Sequence, residues 1–517
     1  MMIFSKNRCI KYWATLLVFC ITSCAAPPTV HVKESAPEFK LEAAEEVFST
    51  GLQSITEKYI EAIDIDHVTI EGLRGLGAID PSITIEKEKN SIVLSTGFSK
   101  IRQNLPNISD AKNWGKIAAN LAGAAWNDSF ELRNADQEHL YEAVFDSVLS
   151  HLDNFSRYAG AREARLNRAK RDGFGGIGVQ FKIVNGAIII TSTFPNSPAF
   201  RANLSAGDQI TYVGQVPVTG LGHKQVRKQL RGPIGSETTL TIKRVSSTTS
   251  NKISFVRSRI VPNTVNIKFV ESIGIITISS FNHETAFSMA KTLEDVRKNK
   301  KINGLVLDLR GNPGGLLRQA VKVADLLLTR GPIISTEGRH PDSLHTYQAG
   351  GKDLVLKMPI VVLVDGRSAS AAEIVAAALQ DRKRAVVVGT TSFGKGTVQT
   401  VIKLPNDGEI TLTWSRLIAP SGYTIHGLGV HPTICTSFYT DKEKTLRELL
   451  AKPSHISQLF KRWKKTGILS QDAKSKLRAN CPSKKDNKNL DLQIARHILS
   501  KRQLYSDAIN IHNNVGD

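Results

Sequence analysis

Apolar residues follow their most regular pattern between residues 359 and 399. Residues 360–364 form an unbroken run of β-branched residues and leucine, which predicts a strand buried on both faces. Residues 371–379 are rich in alanine and carry their larger apolar side chains on one side, which predicts a helix. A second buried run at 385–388 predicts a strand, and the glycines at 394 and 396 mark a loop. This order of elements is typical of a parallel sheet with helical crossovers.

Elsewhere the period of the pattern changes several times along the chain. Helical periodicity predicts a mainly helical N-terminal region, with a β-hairpin at 83–95 and helices at 42–63, 113–130 and 137–152. Residues 173–259 switch to short strands around a helix at 221–230. Strands at 273–278 and 305–309 then flank a helix at 284–298, and a lysine-rich helical pattern resumes after residue 441. A chain of 517 residues with these changes is expected to hold three or more domains.

The N-terminus predicts export. Three basic residues precede an apolar run at 12–21 that is too short to cross a bilayer and is followed by small residues, which indicates a signal peptide over residues 1–23. Ile21-Thr-Ser-Cys24 also resembles a bacterial lipobox. That resemblance implies cleavage before Cys24 and lipid attachment to it, with acyl chains that anchor the protein stably. In the sorting system that the lipobox resembles, Ala25 in the next position favours the outer membrane; the alternative is an ordinary secretory signal with a coincidental cysteine.

The charge balance is strongly basic. The formal net charge is +21 and the pI about 9.7, and loss of the signal peptide, with its three basic and no acidic residues, leaves +18. The sequence holds no helix-turn-helix, RNA-recognition or zinc-finger signature, so no nucleic acid is expected as a partner. We expect instead a basic protein attracted to anionic surfaces such as lipid headgroups or cell-wall polymer.

The five cysteines fall into three groups. Cys9 and Cys20 lie in the signal peptide, and Cys24 is the predicted lipidation site. Cys435 and Cys481 remain as an even pair that an oxidising compartment permits to form a disulfide, with two buried free thiols as the alternative. No cysteine or histidine cluster has the spacing of metal ligands, so neither a metal nor a cofactor is expected.

The strongest candidate for chemistry is Ser370, at the start of the predicted helix and directly after a strand and a turn. Unpaired backbone N–H groups and the positive end of the helix dipole gather at such a position. A serine nucleophile needs a base, and Lys395 between two glycines is the candidate, because burial lowers the pKa of a lysine. Gln399 lies four residues on and is expected to orient the amine. No G-x-S-x-G motif surrounds Ser370, so the Ser-His-Asp arrangement of α/β-hydrolases is not indicated.

Two glycines offer an oxyanion site near the nucleophile. Gly314 and Gly315 follow a predicted strand and precede a helix, so the N–H of either one, together with that of Ala371, is expected to bind an oxyanion. Glycines present only for a tight turn are the alternative. Glu373 is expected to brace the site or cap N–H groups, and Asp381 to end the helix, without either acting as a catalytic acid.

Four ordered blocks carry a resemblance to a known family. They are Asp308-Leu-Arg-Gly-Asn-Pro-Gly-Gly315, Ser370-Ala-Ala-Glu373, Gln380-Asp381 and Phe393-Gly-Lys-Gly-Thr-Val-Gln399. Together they resemble the carboxyl-terminal processing (tail-specific) proteases, S41-type Ser-Lys peptidases with a PDZ domain, over about residues 140–435. The resemblance implies an α/β multidomain protein with a ClpP/crotonase-like catalytic core. The regions are then a tether at 24–35, a mainly helical N-terminal region at 36–172, an inserted PDZ domain at 173–260, the protease core at 261–440 and a helical basic C-terminal extension at 441–517.

The PDZ resemblance rests on a glycine loop, Gly176-Ile177-Gly178-Val179, followed by Gly207-Asp-Gln-Ile210. It implies that an extended peptide adds as a strand beside a helix, with its terminal carboxylate held by N–H groups of the glycine loop. A β-rich spacer with turn glycines is the alternative. Arg231 is expected to report peptide occupancy to the catalytic domain, and a surface ion pair is the competing interpretation.

Three features depart from the family pattern or compete with it. Asn154 and Phe155 replace a proline and a histidine of a family motif whose role is expected to be structural. His426 and His431 offer a histidine base, but their segment resembles a structural turn of the family. The basic helix at 162–171 is expected to be a solvated face rather than a binding site.

The sequence therefore predicts a lipid-anchored serine endopeptidase of the periplasm that cleaves protein substrates near their C-termini. Its expected partners are client tails and the membrane through Cys24, and an adaptor lipoprotein is a further candidate. One alternative is a lipoprotein scaffold whose PDZ domain recruits clients to another enzyme. A crotonase-like acyl-CoA enzyme is disfavoured, because no phosphate- or adenine-binding feature is visible.

Overall fold

The computed structural model describes residues 38–107, 110–245, 247, 249–450, 453–464, 469–484 and 488–511 of the 517. The predicted signal peptide, the lipidation site Cys24 and the tether lie outside the described residues. All elements given below belong to one compact unit, Phe39–Asp517. Within this described part of the chain, no helix is long and apolar enough to cross a membrane.

The N-terminal region is a helical layer with one small sheet. Its helices are α1 (Leu41–Lys58), α2 (Ile65–Arg74), α3 (Ala111–Asp128), α4 (Phe130–Ser150) and α5 (Ala161–Asp172), with a 3-10 turn at Gly75–Ala78. The predicted hairpin is present as β1 (Thr84–Glu88) and β2 (Ser91–Ser95), and β3 (Lys100–Asn104) extends it to three antiparallel strands. The single helix expected at 42–63 ends at Lys58, because the next residue turns to an extended conformation with ψ 143°.

Residues 173–260 form a small domain whose sheet has an unpaired edge strand. Its strands are β5 (Phe174–Gly176), β6 (Val179–Val184), β7 (Ala187–Thr193), β8 (Gln209–Val213), β9 (Val216–Pro217), β10 (Glu237–Lys243), β11 (Ser250–Val256) and β12 (Ser258–Ile260), with helices α6 (Pro198–Arg201) and α7 (His223–Leu230). The sheet order β11-β10-β8-β7-β6 leaves β6 at the edge, and β5 pairs with β12. Val226 and Leu230 of α7 pack on the apolar face of this sheet.

The catalytic core is built on two sheets. The first has the order β13 (Val265–Val270), β14 (Ile273–Ile278), β15 (Gly304–Asp308), β18 (Ile360–Val364), β19 (Val386–Gly389) and β22 (Ile434–Cys435). All neighbours in it are parallel except the β13–β14 pair. The second sheet has the order β17 (His345–Ala349), β16 (Gly331–Glu337), β21 (Glu409–Ile418) and β20 (Thr397–Lys403). A further short strand, β4 (Arg157–Ala159), joins the second sheet beside β21.

Helices cover both faces of the parallel sheet. On one face, α8 (Thr285–Lys298), α9 (Leu317–Asp325) and α10 (Ala371–Asp381) pack with the alternate strand residues into one apolar cluster. The C-terminal extension contributes α11 (Lys442–Leu450), α12 (Pro453–Lys464), α13 (Gln471–Arg478), α14 (Lys488–Ser500) and α15 (Arg502–Asn510). Ile494 and Ile498 of α14 pack against Val361 and Leu363 on the opposite face. The extension, to which the sequence assigned no role, therefore completes the buried sheet, and the α/β multidomain fold class is confirmed.

The N-terminal region shares a hydrophobic core with the second sheet. Phe145 lies between Phe48 and Tyr158, with ring centroids 5.5 Å and 5.2 Å apart. The same cluster includes Ile402 of β20 and Ile410 of β21. The helical layer is therefore part of the packing that supports the catalytic core.

The basic helix α5 binds the core at two positions. Arg168 and Arg171 each lie 2.9 Å from the carboxylate of Glu409, whose side chain is only 4% exposed. The prediction of a solvated face is wrong for these two arginines, because the buried carboxylate of Glu409 needs cationic partners.

Candidate active site

Ser370 lies where β18 ends and α10 begins. Its backbone has φ 55° and ψ −113°, a sparsely populated conformation for a residue with a Cβ. Strained strand-to-helix turns of this kind expose a nucleophile at the edge of a sheet. No glycine adjoins Ser370 in sequence. The space that its side chain needs comes from Gly314, where an added Cβ would lie 2.9 Å from the Ser370 Cβ. The local sequence therefore held no sign of this conformation.

The candidate oxyanion donors separate into one engaged group and two open ones. The Gly314 N–H donates to Asn312 Oδ1 at 2.8 Å, so it is not available to a substrate oxygen. Among the described residues, the N–H groups of Gly315 and Ala371 make no hydrogen bond. Gly314 thus provides space next to the nucleophile, while Gly315 and Ala371 keep open N–H groups.

A buried carboxylate ties the nucleophile to the lysine loop, residues 390–396. Glu373 is fully buried, and its Oε2 accepts hydrogen bonds from the N–H of Ser370 at 2.7 Å and of Lys395 at 2.9 Å. Its Oε1 accepts from the N–H of Gly394 at 2.7 Å and from the hydroxyl of Ser392. Burial raises the pKa of Glu373, while these four donors act in the opposite direction. One side chain therefore positions the backbones of both candidate catalytic residues.

The Lys395 amine lies against an aromatic ring. Its Nζ is 5.1 Å from the centroid of Phe155. Burial lowers the pKa of Lys395 and nearby Arg157 lowers it further, against opposing effects of Asp153 and Glu373. No hydrogen bond joins the Lys395 amine to the Ser370 hydroxyl, both of which the structure describes. Burial therefore shifts the amine toward its neutral form, and the described conformation shows no hydrogen bond between the two side chains.

The segment around Phe155 is a component of the site that the sequence analysis missed. Asp153 accepts hydrogen bonds from the N–H groups of Phe155 and Ser156 at 2.6 and 2.9 Å, which fixes the turn. The Phe155 ring then contacts both Lys395 and His426, the latter with centroids 6.1 Å apart. The family motif was expected to be structural, and here Phe155, which departs from that motif, lies beside the Lys395 amine.

Among the described residues, Gln399 makes no hydrogen bond to the Lys395 amine. Its amide nitrogen donates to Thr397 Oγ1 at 2.9 Å and to Thr413 Oγ1 at 3.3 Å. Thr413 in turn donates to Asp153 at 3.1 Å. Gln399 is therefore connected by hydrogen bonds to the turn that carries Phe155.

Asp381 and His431 lie outside the reaction centre. Asp381 accepts from the N–H and hydroxyl of Ser421 and lies 3.0 Å from the Lys464 amine. The ring of His431 is buried against Phe460 and Trp463, and burial lowers its pKa to about 4, so it packs as a neutral ring. In the described part of the chain, no group of three or more His, Cys, Asp or Glu side chains is placed to hold a metal ion.

The C-terminal extension holds the lysine loop from outside. Arg478 of α13 donates to the carbonyl of Ser392 at 3.0 Å, and the Ser483 hydroxyl donates to that of Thr391 at 2.7 Å. A disulfide joins Cys481 to Cys435 at the end of β22, with the two Cα atoms 5.9 Å apart. The free-thiol alternative is therefore wrong, and the loop is fixed on both sides.

A cavity of about 800 Å³ opens beside the loop. Residues from three regions of the chain line it, among them Asp153, Phe155, Phe393, Arg416, His426 and Arg478. Its volume is sufficient for several side chains of an extended peptide.

A second cavity, of about 380 Å³, lies between β6 and α7. We name it the tail groove; it is lined by the glycine loop Gly176–Val179 and by Arg227, Leu230 and Arg231. The N–H groups of Ile177 and Gly178 make no hydrogen bond to any described residue. The Arg231 guanidinium lies 3.7 Å from the centroid of Phe174 and forms no ion pair with a described residue, so the competing interpretation as a surface ion pair does not hold. The geometry leaves both donors and cations open to a ligand.

Comparison with known proteins decides the family. The model of peptidase family S41 matches residues 272–436, and the PDZ domain model matches residues 165–243. A carboxy-terminal-processing protease of Bartonella bacilliformis is 38% identical over 303 residues, which cover 58% of this chain and 70% of that protein. The chain belongs to the carboxy-terminal-processing proteases of family S41. As a member, it is a serine-type peptidase with a PDZ domain.

Further carboxy-terminal-processing proteases are more distant. A probable CtpA-like serine protease of Staphylococcus aureus is 32% identical over 332 residues, which cover 63% of this chain and 66% of that protein. The solved photosystem II D1 C-terminal processing protease is 22% identical, with 75% of this chain and 92% of that chain covered and a TM-score of 0.39. The PDZ domain of a Vibrio cholerae carboxy-terminal protease in complex with peptide is 30% identical and covers 17% of this chain and 96% of that chain, with a TM-score of 0.16.

Proposed function

We propose that this protease is an endopeptidase in which Ser370 is the nucleophile and Lys395 the general base, and that it cuts protein substrates near C-termini held by its PDZ domain. The observation that carries the proposal is the single carboxylate oxygen of Glu373 that accepts from the backbone N–H of both residues. Two further observations support it: the strained backbone of Ser370 and the lowered pKa of Lys395.

The reaction begins with a movement of the Lys395 amine from the Phe155 ring to the Ser370 hydroxyl. Ser370 Oγ then attacks the scissile carbonyl carbon and its proton passes to the neutral amine. The N–H groups of Gly315 and Ala371 stabilise the oxyanion, and one such donor is typically worth about 3 kcal/mol. The tetrahedral intermediate expels the amine of the departing peptide, which takes the proton from Lys395. Water hydrolyses the resulting ester, returning a proton to Ser370 through Lys395.

A cleavage assay with an unstructured peptide tests these roles. Lys395→Ala and Ser370→Ala should each lower kcat by about 10³-fold or more, because the first removes the base and the second the nucleophile. Lys395→Arg should fail as well, since a guanidinium does not deprotonate at a workable pH. Peptide affinity should stay unchanged in all three.

His426→Ala is the matched control for the lysine variants, because His426 contacts the same Phe155 ring. It should retain kcat within a few-fold. Turnover that survives in Lys395→Ala but not in His426→Ala would transfer the role of base to the histidine.

One observation favours a second candidate, a scaffold that recruits clients to another enzyme. The Ser370 hydroxyl and the Lys395 amine are not hydrogen-bonded in the described conformation, as they need not be in a binding protein. The scaffold predicts that the parent protein and Ser370→Ala leave the peptide equally intact while binding it equally well.

We also propose that the protease is anchored by lipid on Cys24 at the periplasmic face of the outer membrane. The signal sequence supports export, and the Cys435–Cys481 disulfide is compatible with an oxidising compartment. Cys24→Ser should move the protein from the membrane fraction to the soluble periplasmic fraction. Cys20→Ser, a control in the same leader, should leave it with the membrane.

A further inference from the structure

We propose that the tail groove selects client tails with an acidic residue two positions before the C-terminal residue. The inference rests on the proposed function only in taking the bound tail to be that of the substrate. Its basis is the position of unpaired positive charges along α7, relative to the edge strand β6.

Positive charge is concentrated in the PDZ domain. Residues 173–260 hold eleven lysines and arginines but only two acidic residues, Asp208 and Glu237. Asp208 is buried and lies 3.5 Å from Arg244, so it does not neutralise the groove. The helix α7 itself reads HKQVRKQL and contains no acidic residue. The helical wall of the groove therefore carries positive charge and no negative charge.

Two of these cations face the groove without an anionic partner. Arg227 and Arg231 both line it, and neither forms an ion pair with a described residue. They are close enough that Arg227, together with burial, lowers the pKa of Arg231. Like charges one helical turn apart repel each other, and an anion between them relieves the repulsion. A peptide terminal carboxylate supplies one anion at Arg231 and leaves Arg227 open.

The register of an added strand identifies the residue that meets Arg227. A tail ending at the open N–H groups of Ile177 and Gly178 must run antiparallel to β6, so its last residue opposes Val179. Only every second residue of a strand faces α7, and the next such residue opposes Phe181.

The spacing of the helix matches that of the strand. The His223 ring stacks on Phe181 with centroids 5.2 Å apart, and Arg227 lies one turn further toward the glycine loop. One helical turn of four residues rises about 6 Å, close to the roughly 6.6 Å of two strand residues. A side chain opposite Phe181 therefore lies beside His223, and the long side chain of Arg227, one turn away, can reach a carboxylate there with a charge-assisted hydrogen bond.

Binding measurements on full-length Ser370→Ala protein test the inference, because this variant leaves the peptide uncut. Fluorescent peptides that end in valine and differ only at the third residue from the end, Glu, Gln or Lys, are compared by anisotropy. The Glu peptide should bind about tenfold more tightly than the Gln peptide, and the Lys peptide most weakly. The difference should shrink when salt is raised from about 0.05 M to about 0.3 M. Arg227→Gln should abolish the preference for Glu, so that the Kd values of the Glu and Gln peptides lie within about twofold of each other.

Lys252→Gln is the matched control, since Lys252 is an exposed cation on β11 at the opposite edge of the same sheet. It should preserve the preference. Equal affinities for the Glu and Gln peptides overturn the inference, as does a preference that Lys252→Gln weakens as much as Arg227→Gln does, which would indicate bulk charge.

Two further outcomes separate this inference from a membrane-binding role of α7 and from the proposed function. Displacement of the Glu peptide by anionic phosphatidylglycerol vesicles would show that α7 serves a membrane surface and overturn the tail selection. If the parent protein cleaves none of the peptides while the Glu preference holds, the proposed function fails and the binding specificity stands.

Discussion

The lysine loop and the tail groove differ in how completely their polar groups are paired. In the loop, Glu373 takes the N–H groups of Gly394 and Lys395, and the C-terminal extension takes the carbonyls of Thr391 and Ser392. In the groove, the N–H groups of Ile177 and Gly178 and two guanidinium groups have no hydrogen-bond or ion-pair partner among the described residues.

The loop is preorganised for the reaction, whereas the groove keeps its polar groups open to bind a ligand. Groups that must hold a reacting geometry are fixed by the protein itself, because reorganisation during the reaction raises the barrier. Groups that must recognise a ligand are left open, because an internal partner would compete with it. Variants in the loop should therefore change kcat, and variants in the groove should change KM.

After loss of Ser370 or Lys395 themselves, the largest effect is expected for Glu373→Gln. The amide keeps the shape but directs an NH₂ group toward N–H donors, so kcat should fall about 10²-fold and the free energy of unfolding by about 3 kcal/mol. Kinetics and urea unfolding measure the two changes.

Asp381→Asn on the same helix is its control. Asp381 faces Ser421 and Lys464 rather than the nucleophile, so the variant should lose stability with kcat reduced only a few-fold. Equal losses of kcat in both variants would show that Glu373 acts through helix stability alone.

A smaller change is expected for Arg478→Lys, which keeps the charge but loses the planar guanidinium that donates to the carbonyls of Ser392 in the loop and of Leu428. We expect kcat to fall about tenfold with KM unchanged. Lys476→Gln, an exposed residue of the same helix, should behave as the parent protein. A change in KM rather than in kcat would place Arg478 in substrate binding.

Phe155→Ala should shift the pH profile of kcat/KM. The pKa of Lys395 is lowered by burial, so the neutral, active amine forms at a lower pH than for a free lysine, and activity rises as pH passes through that pKa. Removing the ring hydrates the amine and raises its pKa, which should move the rising limb up by about one pH unit. Phe393→Ala, an exposed aromatic residue of the same cavity, should leave the limb in place.

The smallest effect is expected in the groove. Arg231→Gln should raise KM about fivefold for a peptide with a free C-terminal carboxylate, because one charge-assisted contact at a half-exposed site is lost. A C-terminally amidated peptide should show no difference between Arg231→Gln and the parent. A reduced kcat with both peptides would instead support the expected signal from Arg231 to the catalytic domain.

Local patterns in the sequence predicted the parts of the fold that depend on local physics. The unbroken apolar run at 360–364 has the bounds of β18, and the alanine-rich stretch after Ser370 is α10. The hairpin at β1–β2 followed from alternation and a turn. In contrast, the bounds of α13 within the predicted helical extension were not recognised, because Leu477 is its only buried residue, which leaves little apolar periodicity.

The candidate nucleophile and base could be predicted from their residue types and sequence neighbours. The parts of the site that depend on contacts between distant segments could not. Ser370 and Lys395 follow from their surroundings in sequence, but the strain at Ser370 depends on space at Gly314. Phe155 and Arg478 reach the lysine loop only through tertiary packing, from opposite sides of it in sequence. The one available signal was Cys481, three residues after Arg478, whose pairing with Cys435 draws α13 to the core.

The aromatic stack of Phe48, Phe145 and Tyr158 has a practical consequence for dissecting the enzyme. The same hydrophobic cluster continues into the β20–β21 hairpin. A fragment cut at the start of the S41 match would therefore expose the apolar side of that hairpin and lose the turn whose Phe155 ring covers the Lys395 amine. The smallest active fragment should begin before Leu41, because the N-terminal helices share their hydrophobic core with the second sheet.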